Sequence, residues 1–277
     1  MLVGYRFLEM VQDDLMIRFE ERGKGEPLVL VHGLGGTARS WDLLADELVR
    51  HRRLVVLNLP GHGGSPTTTQ TSTFDGLVCA VEHFLETEGL QAADVVGSSL
   101  GGRIVLELAR RGSVRSAIAF DPGGFWHGWE TNYVFASLMA TIKLIRGLGR
   151  YRRVLAGRIA RGVALSQLSH KPSVLSRQFI EQEIQGCADA SNFEAIARDL
   201  TSMSTQAGPR ASSVSSVAIG WGRQDRLCLP RQAIRAKAAF PGSTLHWFEE
   251  CGHFPMWDQP ALSGAFILTS LKNRNEK

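Results

Sequence analysis

"VVGSSLGGRI" (Val95–Ile104) decides how this chain is read. An apolar run ends in two serines, and a helical pattern begins at once. Ser99 falls in the frame Gly-x-Ser-x-Gly, from Gly97 to Gly101. Ser98 does not: the positions two residues to either side of it are Val96 and Leu100. A serine between strand and helix with a glycine two residues away on each side marks a sharp turn. A Cβ at either glycine would run into the neighbouring strand or helix. The frame thus marks Ser99 as a candidate nucleophile at a strand end, the alternative being one small residue in a tight loop, with Ser98 as a candidate pocket neighbour.

Outward from this stretch, short apolar runs alternate with helical patterns. "LMIRFEERG" from Leu15 alternates as a half-exposed antiparallel strand does. "PLVLVHG", "RLVVLNLPG", "ADVVGSS", "SAIAFDPGG", "SVAIGWGRQD" and "STLHWFEECGH" follow. Continuous β-branched and leucine runs of this kind suit parallel strands buried on both faces. The helical patterns between them start after Thr37, after Thr73 and at Leu100, and the third ends at Gly112. Pro230–Phe240 and Pro260–Leu271 supply two more. The rhythm predicts an α/β fold with a mostly parallel, doubly wound sheet. It breaks between Phe125 and Gly208, where helical patterns dominate. The chain therefore divides into a core, residues 1–124 and 208–277, and an inserted helical cap, residues 125–207.

Composition narrows the function. Of 277 residues, 44% are apolar and 21% charged, ordinary values for a globular protein, so a packed core is affordable. A formal charge of +4 without basic runs interleaved with stacking aromatics argues against nucleic acid as partner. The four cysteines are widely separated and show no CxxC spacing. They predict free thiols in a reducing cytosol and no zinc or other metal, with a Cys228–Cys251 bridge as the alternative. The start, "MLVGYRFLEMVQDD", lacks a basic head followed by a long apolar stretch, so no signal peptide is expected. No apolar run is long enough for an integral membrane segment. A cytoplasmic location is the default expectation.

In open α/β sheets ligands bind beyond the carboxyl ends of the strands. The polar residues there are His32, Asn58, Ser98 and Ser99, Asp121, Asp225 and His253. A serine, a carboxylate and a histidine thus reach one edge in the order Ser, Asp, His. His51 and His83 lie on helical patterns, and His246 lies inside a strand pattern. "HGLGG" (His32–Gly36) lacks the spacing of a nucleotide loop, and no phosphate-binding lysine follows it, so no cofactor is expected.

With these residues in place, the chain resembles the α/β-hydrolase fold superfamily, in its serine-nucleophile branch, over nearly its whole length. The resemblance implies Ser99 as nucleophile, His253 in "CGHFPMWDQP" as base, and Asp225 in "GWGRQD" as the acid. Asp121 in "AFDPGG" occupies a position that some relatives use for the acid and stays as the alternative. By the same likeness "HGLGG" is the oxyanion loop. The donors would be the backbone N–H groups of Leu34 and Leu100. His32 would brace that loop, and "PGHGGSP" (Pro60–Pro66) would make a tight turn with His62 as a structural residue.

Between Thr131 and Ile180 there is no Asp or Glu, while nine Lys and Arg interleave with apolar residues at helical spacing. These read as amphipathic basic helices. Three uses follow: a solvated cap face, a lure for anionic substrates, or a dock on an anionic membrane or acidic carrier protein. Phe125, Trp126 and Trp129 at the start of the cap, with Phe254 after the histidine, suggest an apolar pocket for an acyl or aryl group. The expected function is hydrolysis of a small-molecule carboxylic ester, lactone or thioester, neutral or anionic, through an acyl-enzyme. The resemblance also leaves room for a carbon–carbon bond hydrolase of ring-cleavage diketone acids and for a cofactor-free haloperoxidase or perhydrolase. A ligand-binding protein on a hydrolase fold is the non-enzyme alternative. Serine at the turn argues against epoxide hydrolases and haloalkane dehalogenases, which carry aspartate there.

Overall fold

A computed structural model describes residues 16–148, 165–210 and 215–272. The N-terminal stretch that was read for a leader lies outside these residues. So do Arg150, Arg152, Arg153, Arg158 and Arg161 of the basic stretch.

Seven strands form one sheet: β1 (Arg18–Arg22), β2 (Pro27–Val31), β3 (Arg53–Asn58), β4 (Asp94–Ser98), β5 (Ser116–Phe120), β6 (Ser216–Gly222) and β7 (Thr244–Phe248). Their order is β1-β3-β2-β4-β5-β6-β7. Only β1 is antiparallel, paired with β3 so that Glu20 faces Val56. It is the half-exposed edge strand, and its polar residues follow from that place. The inner strands alternate between two buried faces. Val29, Val31, Val55 and Val95 pack into one core, and Leu28, Leu30, Val56 and Val96 into the other. Burial on both faces is why these runs are continuously apolar.

The helices supply the two covers. α1 (Asp42–Leu48) follows a 3-10 turn over Ala38–Trp41, capped by Thr37. α2 (Phe74–Thr87) is capped by the Thr73 hydroxyl, which accepts from the Gly76 N–H at 3.1 Å. α3 (Leu100–Arg111) ends on Gly112 at φ 81°, a left-handed position that glycine takes without a Cβ clash. The helices α4 (Trp129–Leu148), α5 (Arg177–Asp189) and α6 (Phe193–Ser202) come between β5 and β6. They share a small core of Ile142, Ala190, Phe193 and Ala197. Asn192 ties them to the loop after β3, donating to the Pro60 and Thr71 carbonyls at 3.0 and 3.3 Å. α7 (Arg231–Ala239), the short α8 (Pro255–Asp258) and α9 (Pro260–Lys272) complete the cover.

From β2 the chain steps to β3 on one side and later to β4 on the other. The strand order therefore reverses at the β2/β4 boundary. A crevice opens at such a switch point, beyond the carboxyl ends of the two strands. The residues placed there are His32–Gly36 after β2 and Ser99 after β4.

Candidate active site

Ser99 sits at φ 56° and ψ −112°, a strained conformation for a residue with a side chain. The surroundings enforce it. The Ser99 N–H donates to the Phe120 carbonyl at 2.9 Å, and its own carbonyl accepts from Gly123 and Arg103 N–H at 3.1 and 3.0 Å. A Cβ on Gly97 would lie 2.1 Å from the Gly101 carbonyl oxygen, and one on Gly101 2.2 Å from that of Val31. Both positions require glycine. The turn after β2 runs alongside, where a Cβ on Gly33 would stand 3.1 Å from the Ser99 Cβ.

His253 and Asp225 meet at this edge from the last two strands. The His253 Nδ1–H donates to Asp225 Oδ2 at 2.8 Å, with both side chains fully buried. Asp225 Oδ1 accepts from the Leu227 and Cys228 N–H groups at 2.8 and 2.9 Å. His253 Nε2 has no hydrogen-bond partner among the described residues. It carries a lone pair into the cavity that Ser99 also lines. Asp121 is placed differently. Its Oδ1 accepts from the Gly222 N–H at 2.8 Å, and it makes no bond to His253. Burial and the nearby Asp225 charge hold its carboxyl well above the usual carboxylate range.

Two neutral histidines brace the turn after β2. His32 Nδ1–H donates to the Gly33 carbonyl at 2.7 Å, and its Nε2 accepts from Leu59 N–H at 3.0 Å. His62 Nδ1–H donates to the Pro60 carbonyl at 3.1 Å, and its Nε2 accepts from Gly35 N–H at 3.1 Å. Burial lowers His32 to about 3, helped by His62, and lowers His62 to about 4. Neutrality leaves each ring one donor and one acceptor, and both are used. Gly36 N–H closes the turn on the Gly33 carbonyl at 3.0 Å, which leaves Leu34 at its tip, lining the cavity. Leu100 is the first residue of α3, and the amides of a helix's first turn have no acceptor within the helix.

Of the residues expected around the pocket, Phe254 lines the cavity, and Met256 and Trp257 join it. Ser98, Phe125, Trp126 and Trp129 do not. Ser98 points into the protein, fully buried. After Gly124 the chain drops toward α3, so Phe125 and Trp126 pack in the sheet's core with the Arg103 guanidinium 5.8 Å from the Trp126 ring. Trp129 is 60% exposed, edge-on to Tyr133 and under the Arg231 guanidinium. The apolar walls come instead from the helical segment, through Leu138, Ile145, Ile184 and Phe193. No Lys or Arg among the described residues lines the cavity. Arg146, Lys171 and Arg177 pair with Glu194, Glu250 and Glu181. All four cysteines are free, so Cys228 and Cys251 form no bridge.

His62, expected as a structural residue of its own loop, reaches across to the turn after β2. Two contributors carry no sequence signal. One is Asp258. Its carboxylate accepts from the Gly252 and His170 N–H groups at 2.7 and 2.8 Å, which fixes the loop that carries His253. Glu183 of α5 lines the cavity itself. Metal holding was also weighed. Ligand atoms of Asp225, Cys228 and His253 lie within 4.8 Å of one another. The imidazole–carboxylate hydrogen bond accounts for that proximity. Burial raises the Cys228 thiol well above its usual range, which works against a thiolate ligand.

Residues 28–262 match the alpha/beta hydrolase family, and the chain belongs to it. The chain is 29% identical over 268 residues to the dihydrolipoyllysine-residue acetyltransferase component of an acetoin cleaving system from Cupriavidus necator. That match covers 92% of this chain and 66% of the component, so the chain spans just under two thirds of it. It is 25% identical over 268 residues to a 2-hydroxy-6-oxononadienedioate/2-hydroxy-6-oxononatrienedioate hydrolase of Pseudomonas putida, covering 94% of this chain and 93% of that one. Among solved structures, an esterase from Thermogutta terrifontis superposes with a TM-score of 0.72 at 19% identity, covering 93% of both chains. That last likeness is one of fold. Among the described residues no helix is long and apolar enough to cross a membrane.

Proposed function

We propose that this protein is a serine hydrolase that cleaves a carboxylic ester, lactone or thioester with Ser99, His253 and Asp225. The observation that carries the reading is the buried His253–Asp225 pair whose Nε2 faces the cavity shared with a strained Ser99. Asp225 fixes the tautomer, leaving the lone pair on Nε2. Nε2 takes the Ser99 proton as Oγ attacks the carbonyl carbon. The new oxyanion is held by the Leu34 and Leu100 N–H groups. As the carbon–oxygen or carbon–sulfur bond breaks, the leaving group takes the proton from Nε2. Water then adds to the acyl-enzyme, giving a proton to His253, and the acid departs as Ser99 Oγ is reprotonated. The helices of residues 125–207 act as a cap over the cavity.

A carbon–carbon bond hydrolase is the second reading, favoured by the near full-length match to the Pseudomonas putida protein. A dioate substrate needs a cationic partner inside the site, and the described cavity wall offers none. Ester hydrolysis therefore stands first. A fluorophosphonate should label Ser99, and para-nitrophenyl esters should be turned over. Ser99→Ala should lose both. Full esterase activity in Ser99→Ala would sink the proposal.

A further inference from the structure

Glu183 is the one carboxylic acid among the described residues that line the cavity of Ser99 and His253. It comes from α5, beside Ile184 and Cys187, which line the same cavity. The wall lies against the turn that carries Leu34. A Cβ on Gly35 would stand 2.9 Å from Cys187 Sγ, and one on Gly186 2.8 Å from Thr37 Cγ2.

The hydrogen bonds locate its proton. The Ser40 hydroxyl donates to Glu183 Oε2 at 2.8 Å, and Ser40 Oγ itself accepts from Thr37 N–H at 3.2 Å. Ser40 has one proton, and Glu183 Oε2 receives it. Glu183 Oε1 is buried and has no partner among the described residues. A neutral Glu183 therefore carries its own proton on Oε1. Burial, with the Asp42 charge nearby, lifts this carboxyl to about 8, against the pull of the Ser40 bond. Asp42 is itself held by Arg22 and Arg39, so no free cation faces Glu183 from that side. Cys187, one turn along, is pushed up to about 12, and Arg146 beyond it pairs with Glu194. Of these neighbours only Glu183 has its proton loss moved into mildly alkaline solution.

A buried donor without an acceptor costs free energy unless something else supplies one. We propose that Glu183 sets specificity, its Oε1–H holding a neutral acceptor oxygen, a ketone or ether, in the acyl part of the substrate. This rests on the ester-hydrolase reading above. The acyl part is the portion concerned because the wall of Glu183 abuts the turn of Leu34, where the acyl carbonyl is held. Esters of oxo or alkoxy acids are then preferred over plain acyl esters. Half-esters of dicarboxylic acids are refused, because no Lys or Arg among the described residues lines the cavity to meet a buried carboxylate.

The test uses three para-nitrophenyl esters of the whole protein: levulinate, with a ketone in the chain, valerate, without one, and half-glutarate, with a carboxylate. One hydrogen bond predicts kcat/KM for levulinate about three- to tenfold above valerate. Half-glutarate should fall below valerate. Glu183→Leu should bring the levulinate-to-valerate ratio to about one. Glu183→Gln keeps a neutral donor and should retain it, so a folding defect in one variant does not decide the matter. From about pH 7 to about pH 9.5 the wild-type ratio should collapse as Glu183 ionises, while that of Glu183→Gln stays flat. The ratio cancels any titration of His253. Equal rates on levulinate and valerate in the wild type, or half-glutarate as the best substrate, overturn this inference alone. No turnover of any ester together with no fluorophosphonate label on Ser99 overturns the hydrolase reading, and this one with it.

Discussion

Gly101→Ala separates a turn dictated by packing from one that merely tolerates glycine. The added methyl would begin 2.2 Å from the Val31 carbonyl oxygen and 2.5 Å from that of His32. Real Cβ atoms essentially never approach closer than 3.0 Å, so roughly 0.8 Å of separation must be found. Backbone lies on both sides, since β2 is an inner strand and Gly101 belongs to the first turn of α3. No flexible side chain can yield. α3 must move away from β2, and Ser99 moves with it. Overpacking of this kind costs about 1–3 kcal/mol. For a chain of this size that lowers Tm by roughly 2–10 °C. A shift near 1 Å between nucleophile and base costs on the order of 100-fold in rate. Rate should therefore suffer more than stability.

The assay pairs a thermal melt with kcat/KM on a para-nitrophenyl ester. Gly147→Ala is the control. Its Cβ would meet nothing within 4 Å, and it lies within α4. Alanine there should hold stability or add about 0.5–1 kcal/mol. A Gly101→Ala protein that melts with the parent and keeps its full rate would refute the reasoning. So would one that loses stability but no activity, because the helix would then have moved without carrying Ser99.

Asp225→Asn should cut kcat by about 10³–10⁴-fold, since the amide no longer selects the tautomer with a free Nε2. Asp121→Asn, measured in the same assay, should cost less than about tenfold, because that carboxyl accepts from Gly222 and not from His253. His62→Leu should leave the buried Gly35 N–H unpaired, costing about 1–3 kcal/mol in a denaturant melt and lowering kcat more than it raises KM. The two buried histidines also set an acid limit on stability. Folding lowers His32 to about 3 and His62 to about 4 from an ordinary 6.5. The unfolded chain therefore binds protons first as pH falls, and stability present above 6.5 is lost below it. Each histidine contributes a slope of about 1.4 kcal/mol per pH unit in that range. His62→Gln should flatten the stability curve between about pH 6 and pH 4.5 by roughly that amount. An unchanged curve would refute it.

What could be read from sequence follows the range of the interactions involved. Strands declare themselves locally, because burial on both faces demands an unbroken apolar run such as "PLVLV". The turn at Ser99 declares itself through its glycine frame, although only Gly97 answers to nearby backbone, at Gly101, while Gly101 answers to Val31 on the neighbouring strand. That Asp225 and His253 sit at strand ends was legible; that they pair there is seen only in the structure. The pocket was not, and Phe125 and Trp126 show why. An aromatic cluster reveals that surface will be buried, not which way it faces. Here the turn at Gly123 and Gly124 sends those rings under α3. Glu183 and Asp258 were illegible for a related reason. The partner of Glu183 is 143 residues distant, Asp258 joins Gly252 to His170, 88 residues distant, and neither acid lies in a pattern that marks it for burial.

The acids at this edge have divided roles. Asp121 and Asp225 are both buried, and two carboxylates so close cannot both be ionised without a large cost. The structure resolves this by unequal solvation. Asp225 receives two backbone N–H donors and the His253 ring. Asp121 receives one, from Gly222, and burial raises its pKa. The better hydrogen-bonded of the two carboxyls is thus the one that touches the imidazole. In the proposed reaction His253 takes a proton from Ser99 beside it. The same logic acts across the cavity in Glu183, which gains no second donor and is kept neutral. On the proposed reading the ionic interaction arises at the moment of proton transfer, beside a cavity that no Lys or Arg among the described residues lines.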